Sequence, residues 1–81
     1  MTITAKINIF VVMEIIDYTW FTASETIGVV LVKDPHDGYK AYIGVAKGNN
    51  ELDDVKHITE WGKKFPLDAA KSLFTHINFE N

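Results

Sequence analysis

Residues 26–46 have the sequence TIGVVLVKDPHDGYKAYIGVA, and this stretch decides the fold. Its two ends are mostly apolar, whereas Asp34–Gly38 in the middle combines residue types that form tight turns. Proline presets φ, aspartate accepts hydrogen bonds from nearby N–H groups, and glycine adopts positive φ. We therefore predict strands over 26–33 and 39–46 that pair as an antiparallel hairpin. Gly28 indicates a bulge or a close approach to the backbone.

The N-terminal segment predicts another strand, the first in the chain. Apolar and polar residues alternate from Ile3 to Ile9, and from there to Ile16 the chain is apolar and rich in β-branched residues. This pattern is typical of a strand that becomes buried on both faces. We predict one strand over 3–16, with a helix over 9–16 as the competing interpretation. Apolar residues do not recur at a regular spacing over residues 17–25, so we predict a loop there.

The last part of the chain predicts two short helices. Asn50 is the expected N-cap of the first, which begins with acidic residues that suit the positive end of a helix dipole. Gly62 is its expected C′ residue, followed by Lys63 and Lys64 near the negative end. Pro66 is expected to begin the second helix. The predicted inner faces are Leu52, Val55, Ile58 and Thr59 in the first helix, and Leu67, Ala70, Leu73, Phe74 and Ile77 in the second.

Together these elements predict a single α+β domain over residues 1–81. A three-stranded antiparallel sheet is followed by two short helices, in the order β-β-β-α-α. Such helices cover about one face of the sheet, yet the first two strands look apolar on both faces. We therefore expect identical copies to cover the other face, as a dimer or tetramer. The alternative is that the two helices lie on opposite faces of the sheet.

Composition narrows the functional classes. The chain has 81 residues and no cysteine, which excludes disulfides and thiolate zinc sites and fits a reducing compartment. A net charge of −3 with no arginine is atypical of a protein that binds duplex nucleic acid. Charged residues interrupt the apolar N-terminal segment before it could span a membrane, and it lacks the features of a signal peptide. We expect a cytoplasmic protein.

Motifs for catalysis and metal binding are sparse, so we predict a non-enzymatic protein without catalytic residues, bound metal or cofactor. His36 and Asp37 could pair as a base and its orienting group, but a polar hairpin tip explains them equally. His57 could bind a metal with Asp53 and Asp54, but a solvated helix face explains these residues better.

A cluster of aromatic, hydroxyl and lysine side chains is the best candidate ligand site. Flat rings offer stacking surfaces, hydroxyl groups form adaptable hydrogen bonds, and lysines attract an anion, as a purine nucleotide requires. The alternative is that the aromatic side chains fill a small core or a subunit interface. The predicted ligand-binding residues are Trp20 and Tyr42 for stacking, Ser24 and Thr26 for hydrogen bonds, Lys40 and Lys47 for the anion, and Trp61 beside them.

Three short motifs carry a family resemblance: Thr26–Val30, Tyr42–Val45, and Asp54–Gly62, which contains Ile58 and ends in Trp61-Gly62. In this order and spacing they resemble a widespread set of small bacteriophage proteins, over residues 20–65. Some small phage families of this size are oligomeric sponges that sequester the cyclic-nucleotide signals of bacterial antiphage defence without cleaving them. The resemblance implies a multimer with nucleotide pockets at subunit boundaries, in the cytoplasm of the host cell.

Two functional hypotheses follow. The first is a non-enzymatic, homo-oligomeric binding protein that sequesters a cyclic-nucleotide immune signal. The second is a phage protein-interaction module that inhibits or adapts a host protein through its sheet surface and the acidic start of its first helix.

Overall fold

A computed structural model describes residues 3–8, 11–21 and 26–79. It confirms an α+β fold in which an antiparallel sheet is followed by two helices. The predicted number of three strands is wrong, because four strands precede the first helix and a fifth follows it. In the described residues the sheet order is β1-β2-β3-β4-β5. The elements are β1 (Ile3–Asn8), β2 (Val11–Trp20), β3 (Ile27–Asp34), β4 (Gly38–Val45), α1 (Glu51–Trp61), β5 (Lys63–Phe65) and α2 (Leu67–Leu73).

The segment predicted as one N-terminal strand forms two. β1 and β2 pair antiparallel, with Ile3 opposite Ile15. β2 then continues to Trp20, through part of the segment predicted as a loop. A register shift between Ile15 and Asp17 explains the error, because a bulge breaks the alternation that identifies a strand in a sequence. Residues 9–10 and 22–25 lie outside the described residues.

The hairpin of β3 and β4 confirms the prediction made from the turn residues. The two strands pair without a register shift from Ile27 opposite Val45 to Asp34 opposite Gly38. Asp34 Oδ1 accepts hydrogen bonds from the N–H groups of His36 and Asp37, at 2.7 and 3.1 Å. These bonds, and the Lys40 ammonium group, hold the pKa of Asp34 below its ordinary value. Gly38 has a φ of 80°, which favours glycine.

The two helices lie on opposite faces of the sheet, so the preferred prediction that they share one face is wrong. β3 is buried on both faces, and a separate apolar core lies on each. β5 explains the arrangement, because it follows α1 along the edge of β4 and carries the chain across to the other face. The first core contains Met13, Ile15, Val30, Val32, Val55 and Ile58, and the second contains Val29, Leu31, Ala41, Ala70 and Phe74.

Helix α1 begins as predicted, since Asn50 Oδ1 accepts a hydrogen bond from the Asp53 N–H at 2.9 Å. Gly62 ends the helix, but its φ of −71° is not left-handed. Lys63 and Lys64 belong to β5, and no basic residue lies in the last turn of the helix. Val55, Ile58 and Thr59 are buried as predicted, whereas Leu52 is exposed.

Helix α2 follows Pro66 as predicted and is short. Ala70 and Phe74 are buried, and Leu67 packs against the second core. Leu73 is exposed, and Ile77 packs against the same core from beyond the end of the helix. In the described part of the chain, neither helix is long and apolar enough to cross a bilayer.

Candidate functional site

A cleft of about 580 Å³ opens at the edge of the sheet where β5 ends. Its volume lies in the range of sites that hold small organic ligands. Both apolar and charged side chains contribute to the wall, so that a ligand with a flat ring and an ionic group would find partners for each. The lining residues are Asp37, Tyr39, Lys40, Ala41, Lys64, Phe65, Pro66 and Leu67.

The cleft forms because β5 is shorter than the strand with which it pairs, β4. β5 pairs with β4 over three positions, and the last pair is Ala41 with Phe65. The next residue, Pro66, has no N–H to donate to a ladder, and α2 begins directly after it at Leu67. The first residues of β4 therefore have no neighbour from β5, and Tyr39 lies at an open edge.

The direction of the Tyr39 backbone groups follows from the pairing of β3 and β4. The Ala46 N–H donates to the Thr26 carbonyl at 2.6 Å, so residue 46 belongs to a hydrogen-bonded pair with β3. Such pairs alternate along an antiparallel strand, and no register shift interrupts β4. Odd-numbered residues of β4 therefore direct both backbone groups outward. Ala41 and Ile43 meet β5, whereas the N–H and C=O of Tyr39 face the cleft.

The two walls of the cleft differ in polarity. Tyr39, Phe65 and Leu67 pack against the second core, on the α2 face. Because side chains alternate along a strand, Lys40 and Lys64 project from the opposite face. A flat ligand at the sheet edge would thus have apolar and aromatic groups on one side and lysine side chains on the other.

The two lysines differ in available charge. Lys40 Nζ lies 3.0 Å from Asp37 Oδ2 and 3.6 Å from Asp34 Oδ2. The hydrogen bond to Asp37 is the main reason why the pKa of Lys40 is raised. Lys64 is exposed, and none of the described residues forms an ion pair with it. Lys64 is therefore the cation that an anionic ligand would meet.

The Tyr39 ring is already engaged within the protein. It lies 4.9 Å from the Phe79 ring, centroid to centroid, in an edge-on arrangement. Lys33 Nζ lies 5.3 Å from the Tyr39 centroid, within the range of a cation–π contact. The Tyr39 backbone, rather than its ring, is thus the part of this residue that a ligand could use.

The structure places the two predicted stacking residues at the border of an apolar core. Trp20 and Tyr42 are half-buried and pack against the first core. The Trp20 ring also lies 6.0 Å from the Tyr18 ring. This arrangement corresponds to the alternative interpretation, in which the aromatic side chains fill a core.

The predicted site residues do not lie together. Trp20 is opposite Gly28, which is opposite Gly44 on β4. Lys40 lies about 13 Å from Gly44 along the same strand. Thr26 and Lys47 are exposed near the end of the sheet that holds Trp20. Of the seven predicted residues, Lys40 lines the cleft, Trp61 is an exposed residue at the end of α1, and Ser24 lies outside the described residues.

Sequence reasoning missed the contributions of Phe65, Lys64 and the Tyr39 backbone. The sequence pattern assigns Lys63 and Lys64 to the end of the first helix, and nothing in the residue types shows which backbone groups of a strand lack a partner. Pro66 is the one available signal, because a proline directly after a short strand marks the point where the edge becomes open.

The acidic start of α1 is bound within the protein. Asp54 Oδ1 accepts the N–H groups of Lys47 and Gly48 at 3.0 and 2.9 Å, and thereby fixes the loop before the helix. Glu51 accepts a hydrogen bond from the Tyr18 hydroxyl, which raises the pKa of Tyr18 to about 12. Among the described residues, no three side chains of histidine, aspartate or glutamate are grouped to hold a metal ion.

No protein family, curated protein or solved structure matches this chain. The resemblance to small phage proteins therefore stays a prediction.

Proposed function

We propose that this chain is a non-enzymatic binding protein that holds a nucleotide-sized ligand in the cleft at the edge of β4. One observation carries the proposal. A cleft of about 580 Å³ combines an apolar wall, an exposed lysine and a backbone donor–acceptor pair that β5 does not use. In a nucleotide, the ring of the base suits the apolar wall and the phosphate suits the lysine. The hydrogen-bonding edge of the base suits the backbone donor–acceptor pair.

The charges around the cleft favour a ligand with little negative charge. Asp37 and Asp34 offset the charge of Lys40, which leaves Lys64 to contact a phosphate. We therefore expect monophosphates and cyclic nucleotides to bind better than triphosphates. Cyclic-nucleotide immune signals, the ligands that the phage resemblance implies, belong to this group.

The charged groups of the cleft are paired in a way that suits a binding site. Asp37 and Lys40 are joined to each other by a 3.0 Å hydrogen bond. The rest of the wall consists of Lys64, apolar side chains and Tyr39, whose hydroxyl donates to the Asn78 carbonyl at 3.4 Å.

The test is calorimetry of the purified protein with nucleoside monophosphates, cyclic mononucleotides and cyclic dinucleotides. We expect Lys64→Ala to weaken binding about tenfold, because it removes a charged hydrogen-bond donor. Lys63→Ala is the matched control, since Lys63 is the adjacent exposed residue of β5 but does not line the cleft.

Lys47→Ala separates this cleft from the cluster predicted from the sequence. A loss of affinity in Lys47→Ala, with Lys64→Ala unchanged, would place the ligand near the other end of the sheet. Absence of binding for every nucleotide at high micromolar concentration, by protein shown to be folded, would remove the proposal.

The second candidate is an interface at the end of α1, which would serve either the module that inhibits or adapts a host protein or the expected dimer or tetramer of this chain. The observation that favours it is Trp61, which is 74% exposed at the end of α1, since exposed tryptophan is enriched at interfaces. Light scattering after size-exclusion chromatography measures self-association. A dimer or tetramer that becomes a monomer in Trp61→Ala would support it, and a monomer at all concentrations would remove the homo-oligomer.

A further inference from the structure

We propose that the outward N–H and C=O of Tyr39 recognise the hydrogen-bonding edge of the ligand's heterocycle, so that the base lies in the plane of the sheet. This inference rests on the proposed function and specifies the ligand class. The ligand is a nucleotide whose base presents a donor and an acceptor side by side on one edge.

The geometry of an antiparallel strand provides the complementary pair. The N–H and C=O of one residue point in the same direction, and in a hydrogen-bonded pair the opposite residue offers a C=O and an N–H in return. Tyr39 has this arrangement at the open edge, where β5 has already ended. The Watson–Crick edges of adenine, cytosine, guanine and uracil each place a ring or exocyclic N–H next to an acceptor atom, which satisfies both groups of Tyr39.

The length of the open edge distinguishes a heterocycle from an extended peptide. Strand addition gains affinity from several consecutive ladder pairs. Here the next outward position on one side, Ala41, is already opposite Phe65. On the other side, the Asp37 N–H donates to Asp34 Oδ1 at 3.1 Å. A single residue remains between them, which is enough for one base edge and too little for a strand.

The surroundings of Tyr39 fit a planar ring in this position. A base bonded to the Tyr39 backbone would extend the sheet in its own plane. The Phe65 and Leu67 side chains, which belong to the α2 face, would contact one side of the ring. The side chain of Lys64 would lie on the other side, with its ammonium group available to a phosphate. The apolar wall would thus contact the base, and the cation on the opposite side would contact the phosphate.

The experiment changes the ligand and leaves the protein intact. Adenosine, cytidine and uridine 5′-monophosphates are titrated into ¹⁵N-labelled protein, each beside an analogue in which methyl groups replace the donor hydrogens of the base. These analogues are dimethylated on the exocyclic amine of adenine or cytosine, or methylated on N3 of uracil. Ribose 5-phosphate serves as a ligand with the phosphate but no base.

We expect the Tyr39 amide resonance to shift on titration with at least one nucleotide, and its methylated analogue to bind about tenfold more weakly. The reason is that methylation leaves the Tyr39 carbonyl buried without a donor. If a nucleotide binds with dependence on Lys64, but the Tyr39 amide does not shift and the analogue binds equally well, this inference fails while the proposed function stands. Ribose 5-phosphate binding as tightly as the nucleotides would also overturn it. If no nucleotide binds, guanosine 5′-monophosphate included, both fail together.

Discussion

The indole ring of Trp20 lies over Gly28, the residue opposite it on the neighbouring strand. A Cβ atom at position 28 would lie 2.5 Å from Trp20 Cε3, closer than two carbon atoms that are not bonded to each other can approach. Gly28 therefore provides the space in which the ring lies, and this agrees with the close approach predicted from the sequence. The ring in turn covers a backbone that has no side chain of its own.

Gly28→Ala should lower the free energy of unfolding by about 1–3 kcal/mol, because the new methyl group displaces the Trp20 ring. Urea denaturation measures the change. Gly44→Ala serves as the comparison, since Gly44 is opposite Gly28, and a Cβ there would lie 3.3 Å from the Gly62 Cα, a tight contact that should cost less than the 2.5 Å overlap at Gly28. The cost of Gly28→Ala should decrease in a Trp20→Ala background. An equal cost in both backgrounds would contradict the assigned cause.

The packing of α2 gives a second prediction, in which two adjacent residues behave differently. Phe74 is 1% exposed in the second core, whereas Leu73 is 38% exposed. Phe74→Ala should cost about 3–5 kcal/mol of stability, and Leu73→Ala much less, because only the first leaves a cavity. Thermal or urea unfolding of the two variants provides the comparison. Similar costs for both would show that α2 does not cover the sheet as described.

The elements that were predicted from the sequence are those set by local chemistry. The turn after Asp34 and the N-cap at Asn50 each depend on hydrogen bonds between residues two or three positions apart. Pro66 likewise fixes the start of α2 through its own ring. Such features are encoded by residue type and spacing, so one sequence is enough to find them.

The missed features depend on contacts distant in sequence. β5 contains two lysines and one phenylalanine, and its strand conformation comes from pairing with β4. Apolar helix faces show that a helix packs against something but not which face of the sheet it covers. The same limit applies to the cleft, because the open edge at Tyr39 results from where another strand ends.

The hydrogen bond between Tyr18 and Glu51 gives a pH prediction. The pKa of Tyr18 is about 12, above its ordinary value of 10.0, first because its hydroxyl donates to the Glu51 carboxylate. The neutral phenol is therefore stabilised in the folded state, and this contribution is present below pH 10 and lost as the pH rises through 12.

Glu51→Gln should bring the ionisation of Tyr18 down towards its ordinary range. The absorbance of tyrosinate in an alkaline titration, compared with that of Tyr18→Phe, isolates this residue. Asp53→Asn, which changes another acid in the first turn of α1, should leave the Tyr18 pKa nearly unchanged. The same alkaline ionisation of Tyr18 in Glu51→Gln as in the unaltered protein would argue against the hydrogen bond.

Gly62→Ala and Gly48→Ala should differ in how much stability they cost. At Gly62 a Cβ would lie 2.5 Å from the Ile58 carbonyl oxygen and 2.7 Å from that of Ile43. These backbone atoms belong to α1 and β4, so the clash is relieved only if the helix and the strand move apart. At Gly48 the Cβ would meet nothing, and the φ of 81° alone opposes alanine, at a cost of about 1 kcal/mol. We expect urea denaturation to show a larger loss of stability for Gly62→Ala than for Gly48→Ala. The reverse order would mean that α1 does not pack its end against β4.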